Sequence, residues 1–442
     1  MCNDLRAFID AQPMIDTHSH VCGFDDGPPL DDKFGYSLPQ ILMRDYLLYL
    51  TSSCSDLPVK PRGETDWSID DAEAHFLALQ PLLEQYRGLT TYAALREGIR
   101  ELHPFEGEDI TSANWRGINE SIVNAYRTWG ERAWLRKAAK QVGIEQQNQM
   151  VVLNYVTESW GELPAEEREA QKHFLMPSLI LDGLFYTGFP RHKETRRKAM
   201  EIVGLQPTTY DEHLAFCEKV LDTFIAHTGT GRTVKLLAAY ARSLFFAQDV
   251  PEGRARELYA QDPETLTSEP LRELQDNLFW KLMGMVVDRN LPLIVHTGYS
   301  YPTKFGDPEH LVNLAQTHRS LKIDLAHSGW PNEGGALLLA RTYRGCYFNL
   351  CWTPLMSYEL GRHIMSVAID MIPRNKILVG TDCGTVECMV GTARLLRRVL
   401  GDVLEEKMRL GQFGLDVAKS YARAILYDNP IEFYGVSAAV KA

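Results

Sequence analysis

Two histidines near the start of the chain have the spacing of a metal-binding pair. His18 and His20 follow a short apolar segment. Residues i and i+2 of a β-strand point to the same face, so both imidazoles can reach one ion. Three further metal-competent side chains end apolar segments later in the chain, namely His296, His327 and Asp382. We therefore predict a metal centre formed by His18, His20, His296 and Asp382.

The types of these side chains indicate the chemistry. Neutral imidazoles and a carboxylate suit Zn²⁺, with Mn²⁺ or another divalent ion as the alternative. We expect one ion and keep two ions as the alternative. A bound ion lowers the pKa of its water toward ~7, and Asp382 can take the released proton. His327 has two open interpretations, because it can bind a second ion or orient the hydroxide and polarise the substrate.

These side chains need a scaffold that brings distant segments together. Short apolar runs alternate with amphipathic helical patterns from residue 150 onward, which favours a parallel sheet covered on both faces. Including the first run, the predicted strands lie at residues 13–18, 150–155, 173–181, 233–237, 291–295, 321–325, 346–350 and 377–379. About eight such strands predict an α/β fold, a (β/α)₈ TIM barrel. Active sites of these barrels lie at the C-terminal strand ends, where the candidate ligands stand.

The sequence between the first two predicted strands has a different character. Residues 28–149 are rich in Leu, Glu, Arg, Tyr and Trp at helical spacing. We predict that residues 1–27 hold the first strand and the His-x-His motif. Residues 28–149 then form a largely helical insertion, and residues 150–442 complete the barrel. The insertion either caps the barrel mouth or forms an oligomer interface, and we expect a homo-oligomer.

Composition restricts the partners. The chain has 442 residues, 45% of them hydrophobic, and a formal net charge of −12. This charge argues against nucleic acid as a partner. The apolar runs are too short to cross a membrane, and the first residues lack the apolar stretch of a signal peptide. We therefore expect a soluble cytoplasmic protein that acts on a small molecule, with its eight cysteines reduced.

The ordered motifs resemble those of the amidohydrolase superfamily. The matching segments are residues 15–20, 295–298, 325–327 and 379–382, together with 233–242 and 424–430. The chain is most similar to the amidohydrolase-related group that includes the N-terminal domain of FluG-type proteins. This resemblance implies a metal-dependent (β/α)₈ barrel that hydrolyses C–N or C–O bonds. Some relatives decarboxylate aromatic or unsaturated acids instead, and distant ones isomerise sugar acids.

The role of Lys235 stays open at this stage. In two-metal relatives a carboxylated lysine on the fourth strand bridges the ions, and Lys235 lies on the predicted fourth strand. A free ammonium group would instead bind a substrate carboxylate, or form a structural ion pair. The predicted substrate-contacting residues stand near strand ends and are Lys235, Tyr240, Arg242, Tyr299, Trp330 and Trp352.

The leading functional hypothesis is hydrolysis by metal-activated water. Asp382, His327 and Lys235 are the predicted catalytic residues, and the substrate is a small amide, lactam, lactone or ester that can carry a carboxylate. The alternative is non-oxidative decarboxylation of an aromatic or unsaturated acid on the same metal. A non-catalytic barrel is the third reading, and the complete ligand set argues against it.

Overall fold

Eight parallel β-strands form one sheet, in which strand neighbours follow the order of the chain. The computed structural model describes residues 2–21, 36–57, 71–161, 163–187 and 192–436. The strands are β1 (Met14–Ser19), β2 (Ile144–Val151), β3 (Leu175–Ile180), β4 (Thr233–Leu236), β5 (Leu293–His296), β6 (Ile323–Ala326), β7 (Cys346–Asn349) and β8 (Ile377–Leu378). Helices alternate with these strands, so the predicted (β/α)₈ barrel is confirmed.

The central strands are buried along their whole length. β5 and β6 have no exposed residue, and they pair in parallel with Leu293 opposite Ile323. Apolar residues stand at successive positions in β5, as expected for a strand that is covered on both faces. The polar residue His296 comes at the C-terminal end of this strand, which is where the sequence placed it.

Strand β2 lies elsewhere than the sequence suggested. It begins at Ile144, whereas we predicted a strand at residues 150–155. Its polar residues concealed it, because Gln147, Asn148 and Gln149 are fully buried. A buried amide is tolerated where it finds a hydrogen-bond partner, and the Gln149 side chain donates to the carbonyl of Val21. Residues Tyr155–Ser159 form a π-helical turn instead of continuing the strand.

Helices fill the described part of the chain between β1 and β2. Helix α1 (Cys2–Ala11) precedes β1, and the following helices are α2 (Leu38–Leu42), α3 (Asp45–Cys54), α4 (Ala72–Tyr86), α5 (Thr90–Leu102) and α6 (Trp115–Gln141). The predicted helical character of this segment agrees with these helices. The predicted boundary between residues 27 and 28 lies outside the described residues, and the predicted end at residue 149 falls within β2. The insertion's limits stay a prediction.

The remaining helices alternate with strands or follow them. They are α7 (Ala165–Phe174), α8 (His192–Val203), α9 (Tyr210–His227), α10 (Glu252–Tyr259), α11 (Ser268–Asp288), α12 (Val312–Thr317), α13 (Glu333–Thr342), α14 (Thr353–Met356), α15 (Tyr358–Met371), α16 (Val386–Arg409), α17 (Leu415–Arg423) and α18 (Asn429–Tyr434). Among the described helices, none combines the length and the apolar character needed to cross a membrane.

The chain divides into two compact units. The first unit comprises Met1–Gln149, Cys351–Ser366 and Val379–Tyr427, and the second comprises Met150–Leu350, Val367–Leu378 and Asp428–Ala442. In the first unit, helices α5 and α16 pack backbone to backbone. Gly98 of α5 and Gly391 of α16 lie at the crossing, where an added Cβ would overlap the opposite helix backbone. Glycine at both positions therefore permits this close approach.

A methyl group at the crossing should destabilise the first unit. In Gly391→Ala the new Cβ would overlap the carbonyl oxygen of Ala94, which belongs to rigid helix backbone. We expect the free energy of unfolding to fall by about 3 kcal/mol or more, measured by urea denaturation. Gly117→Ala is the matched control, because a Cβ at Gly117 in α6 meets no atom within 4 Å. An equal loss in both variants would contradict this account of the crossing.

A buried histidine in the second unit should make stability pH-dependent. Burial lowers the pKa of His213 to about 4, and its Nε2 lies 2.7 Å from the carbonyl oxygen of Leu184. Between pH 4 and 6.5 the unfolded chain binds one proton more than the folded chain, so stability is lost as the pH falls through this window. The expected loss is roughly 3 kcal/mol, since each pKa unit corresponds to about 1.4 kcal/mol.

The variant His213→Gln should remove this pH dependence. Its amide can still donate to the Leu184 carbonyl, but it does not titrate. Urea denaturation at pH 7 and pH 4.5 should therefore show a smaller difference in the variant than in the wild type. The same difference in both proteins would rule out His213 as the source.

Candidate metal centre

Three of the predicted ligands lie on two neighbouring segments. His18 and His20 stand at the end of β1, and Asp382 stands in the segment that follows β8. All six residues of β1 are buried, and β1 pairs in parallel with β2. Residues 379–383 run along the other side of β1. The Thr17 amide donates to Val379, the Asp382 amide donates to His18, and the His20 amide donates to Cys383. These backbone hydrogen bonds place the end of β1 beside Asp382.

The side chains of His18, His20 and Asp382 converge at this point. Asp382 Oδ1 lies 2.9 Å from His20 Nε2 and 3.4 Å from His18 Nε2. One ligand atom from each of the three residues lies within 4.8 Å of the others. His18 and Asp382 are buried, while the side chain of His20 is 31% exposed. The cluster is therefore enclosed on the protein side and open to solvent on the His20 side.

This donor set fits a divalent metal ion. Two imidazole nitrogens and one carboxylate oxygen are ligands that Zn²⁺ and related ions accept. Three protein ligands are also the number typical of catalytic zinc sites, which leave one position for water or substrate. Asp382 has a positive φ of 55°, a conformation that costs energy for a residue other than glycine. Strain of this kind is typical of functional residues.

A second carboxylate supports the turn that carries Asp382. Asp16 accepts hydrogen bonds from the Thr381 amide at 2.8 Å, the Thr381 hydroxyl at 2.6 Å and the His18 amide at 3.3 Å. Burial raises the pKa of Asp16 to about 7, although these hydrogen bonds act in the opposite direction. Asp16 thus ties β1 to the residue that precedes Asp382.

Tyr46 is a member of the cluster that the sequence did not reveal. Its hydroxyl group donates to Asp382 Oδ2 at 2.6 Å and lies 3.1 Å from the Asp382 carbonyl oxygen. The ring of Trp352, a predicted substrate-contacting residue, is buried and lies 6.1 Å from the Tyr46 ring. In the sequence, Tyr46 is marked only by the preceding Asp45. An Asp-Tyr pair is too common to identify a functional residue.

His296 and His327 come together in the second unit. Their ring centroids are 4.2 Å apart, and the ring of Tyr240 lies 4.4 Å from that of His296. The Tyr240 hydroxyl lies 3.4 Å from His296 Nδ1, and His296 Nε2 lies 3.0 Å from the carbonyl oxygen of Tyr299. Because a carbonyl only accepts, Nε2 carries a proton in this arrangement. The roles of His296 as a ligand and His327 as a catalytic residue stay predictions.

Lys235 occupies a fully buried position on β4, between two buried carboxylates of the second unit. Burial raises the pKa of Asp182 to about 7 and that of Asp324 to about 6, and the positive charge of Lys235 lowers both. Lys235 therefore lies within electrostatic reach of both groups. The role of Lys235 stays a prediction.

The other predicted substrate-contacting residues of the second unit differ in burial and in their hydrogen-bond partners. Arg242 is buried and donates to Asp276 at 2.6 Å and to Gln275 at 2.9 Å, so its guanidinium group is already engaged. Tyr240 and Tyr299 are about half exposed, and the Tyr299 ring lies 5.9 Å from that of Trp330. The roles of these residues as substrate contacts stay predictions.

Comparisons with known proteins find one family model and several solved structures that resemble this chain. Residues 264–436 match the family model described as amidohydrolase. This matched segment, which includes Asp382, is therefore similar to amidohydrolases. The finer resemblance to FluG-type proteins stays a prediction, and none of the curated proteins matches this chain significantly.

Three solved structures share the fold of this chain over nearly its whole length. A uronate isomerase from Thermotoga maritima is 17% identical with a TM-score of 0.78, and the alignment covers 98% of this chain and 97% of that one. A glucuronate isomerase from Caulobacter crescentus is 15% identical with a TM-score of 0.77, covering 100% and 95%. A proposed metal-dependent hydrolase from Lactobacillus casei is 16% identical with a TM-score of 0.64, covering 98% and 97%.

Removing one imidazole of the cluster should weaken metal binding. Second-sphere substitutions typically cost 10–100-fold in metal affinity, so the direct ligand variant His20→Ala should lose on the order of 100-fold or more. Competition between the protein and a chromogenic chelator for Zn²⁺ measures this change. His227→Ala removes an exposed histidine of α9 and is the control. Unchanged affinity in His20→Ala would show that Zn²⁺ binds elsewhere.

Proposed function

We propose that this protein is a metal-dependent hydrolase that cleaves a C–N or C–O bond of a small molecule. The observation that carries the proposal is the position of the Asp382 carboxylate. One of its oxygens faces the two imidazoles of His18 and His20, and the other accepts a hydrogen bond from Tyr46. A carboxylate in this position can both hold an ion and exchange a proton with a reacting group. Zn²⁺ is the proposed metal.

The chain's own residues provide most of the proposed mechanism. A divalent ion supplies Lewis-acid chemistry when bound, polarising a carbonyl group and making water easier to deprotonate. His18 and His20 would hold the ion through their Nε2 atoms. As water adds to the carbonyl carbon, Asp382 takes its proton and returns it to the leaving nitrogen or oxygen when the bond breaks. Tyr46 keeps the carboxylate in one orientation by holding Oδ2.

The second unit offers groups for the substrate. We propose that Tyr240, Tyr299 and Trp330 contact it, because Tyr240 and Tyr299 are about half exposed and the rings of Tyr299 and Trp330 lie 5.9 Å apart. We assign no step to Arg242, because its guanidinium group is engaged by Asp276. His296 and His327 stay candidates for a further ligand and for polarising the substrate.

A second candidate function is the aldose–ketose isomerisation of a sugar acid. Two of the structures that share this fold over nearly the whole chain are uronate isomerases. Such a reaction moves a proton between neighbouring carbons and needs no added water. Asp382 and Tyr46 form an adjacent pair of proton-carrying groups, which favours this alternative. A shared fold does not establish a shared reaction, so the hydrolase remains the leading proposal.

A substrate panel tested with the Zn²⁺-loaded protein separates the reactions. Lactones, cyclic amides and esters should release an acid, and reaction in ¹⁸O-labelled water should place one ¹⁸O atom in the product. Hexuronates that yield ketoses, with deuterium incorporated from D₂O, would establish the isomerase instead. Aromatic acids that release CO₂ would support decarboxylation. A protein that neither binds Zn²⁺ nor converts any of these compounds would contradict a catalytic role.

Substitution of Asp382 should abolish turnover on whichever substrate the panel identifies. Asp382→Asn keeps the shape of the side chain but cannot take a proton, so kcat should fall by about 10³-fold, within the usual range for general acid–base groups. Tyr46→Phe should lower kcat less, because the carboxylate remains. Tyr49→Phe, which alters an exposed tyrosine of α3, is the control for Tyr46. Full activity in Asp382→Asn would eliminate the proposed proton transfer.

A further inference from the structure

Two consecutive residues of α3 contact the turn that carries Asp382. Tyr46 binds the Asp382 carboxylate, and the preceding residue, Asp45, binds the same turn further along. We infer that Asp45 is a positioning residue, which fixes the turn at residues 382–385 so that the Asp382 carboxylate faces His18 and His20. This inference rests on the proposed function of that cluster as a metal centre.

The contacts of Asp45 use both oxygens of its carboxylate. The Gly384 amide donates to Oδ1, and the Thr385 hydroxyl donates to Oδ2 at 2.9 Å. Thr385 is also the N-cap of α16, where its hydroxyl accepts from the Cys388 amide. One carboxylate therefore holds the two residues that link Asp382 to α16. A hydrogen bond to a charged acceptor is stronger than a neutral one, which suits this task.

The backbone at both ends of this contact is in a costly conformation. Asp45 has a φ of 53° and Asp382 a φ of 55°, in the left-handed region that favours glycine. Asp and Asn tolerate this region better than other residues, but they still pay in conformational energy. A strained residue therefore stands on each side of this contact, Asp45 at the start of α3 and Asp382 in the turn before α16.

The negative charge of Asp45 lies near the N-terminus of α16. Helix α16 has 24 residues, and its N-terminus carries the positive end of the helix dipole. The Asp45 carboxylate lies at that end through its bond to the N-cap residue Thr385. The attraction between the carboxylate and the helix terminus therefore reinforces the two hydrogen bonds.

Neighbouring contacts anchor the segment from which Asp45 reaches the turn. The Arg44 guanidinium group lies over the ring of Tyr36, 4.1 Å from its centroid, and the Tyr36 hydroxyl donates to Glu131 of α6. Helix α6 is itself tied to α16, because Nε1 of Trp134, on the same side as Glu131 of the break at Gly130, donates to the buried Glu387 at 3.2 Å. The start of α3 and the first turn of α16 are thus joined to the same helix, so Asp45 has a rigid base.

The effect of Asp45 can be measured with Co²⁺ as the probe, without any substrate. The visible absorption bands of Co²⁺ report the geometry of its ligands. Asp45→Gly removes the carboxylate but allows the positive φ, and Asp45→Asn keeps one acceptor for the Gly384 amide. We expect Co²⁺ affinity to fall by about 10–100-fold in Asp45→Gly and by less in Asp45→Asn, with altered Co²⁺ bands in both. Asp56→Gly and Asp56→Asn, at an exposed acid that follows α3, are the matched controls.

A double-mutant cycle separates positioning from a general loss of stability. If Asp45 acts through Asp382, then Asp45→Gly should have little further effect on Co²⁺ affinity once Asp382 has been changed to Ala. Additive losses in the cycle, or unchanged Co²⁺ bands in folded Asp45→Gly and Asp45→Asn, would overturn the positioning role alone. If Asp45→Gly does not fold, as judged by circular dichroism, Asp45→Asn decides. Failure of the wild type to bind Co²⁺ would overturn the proposed metal centre, and this inference with it.

Discussion

The candidate metal centre depends on one set of backbone hydrogen bonds, those between β1 and residues 379–383. They bring together two parts of the chain more than 350 positions apart, with the His18 carbonyl bound to the Asp382 amide and the His20 amide bound to the Cys383 carbonyl. Side-chain geometry follows from this pairing, because alternate residues of a strand share one face. Asp16 strengthens the pairing by accepting three hydrogen bonds from residues on both sides of it.

Polar groups are buried in both units at a cost that hydrogen bonds and charges offset. Asp16, Asp182 and Asp324 are fully buried, and burial raises the pKa of each carboxyl group. Each accepts at least one hydrogen bond, and the two carboxylates of the second unit also lie near the charge of Lys235. Buried carboxylates that are hydrogen-bonded in this way favour one arrangement of the surrounding residues. If those residues moved, a buried polar atom would lose its hydrogen-bond partner. The rigidity that a catalytic site needs thus originates in the barrel interior.

The fold of this chain occurs in proteins that are described as carrying out different reactions. Proteins described as uronate isomerases and as a proposed metal-dependent hydrolase share this fold at 15–17% identity. A common barrel supports different reactions because the chemistry is set by a few side chains at the strand ends. For this chain, the informative side chains are Asp382 and Tyr46. Their direct hydrogen bond orients the carboxylate in the proposed hydrolysis, and it provides a pair of proton-carrying groups for the alternative isomerisation.

The sequence by itself predicted the barrel, and it predicted three side chains that the structure brings together, those of His18, His20 and Asp382. Apolar strands buried on both faces leave an unmistakable pattern, and His18, His20 and Asp382 each stand at the end of such a strand or just beyond it. It did not reveal strand β2, because Gln147, Asn148 and Gln149 are polar although they are buried. Polar residues in a sequence usually predict an exposed segment. It also did not reveal Asp45 and Tyr46, which reach the site from a helix. Their part depends on how α3 packs against the turn before α16, and such long-range packing leaves no local periodicity in the chain.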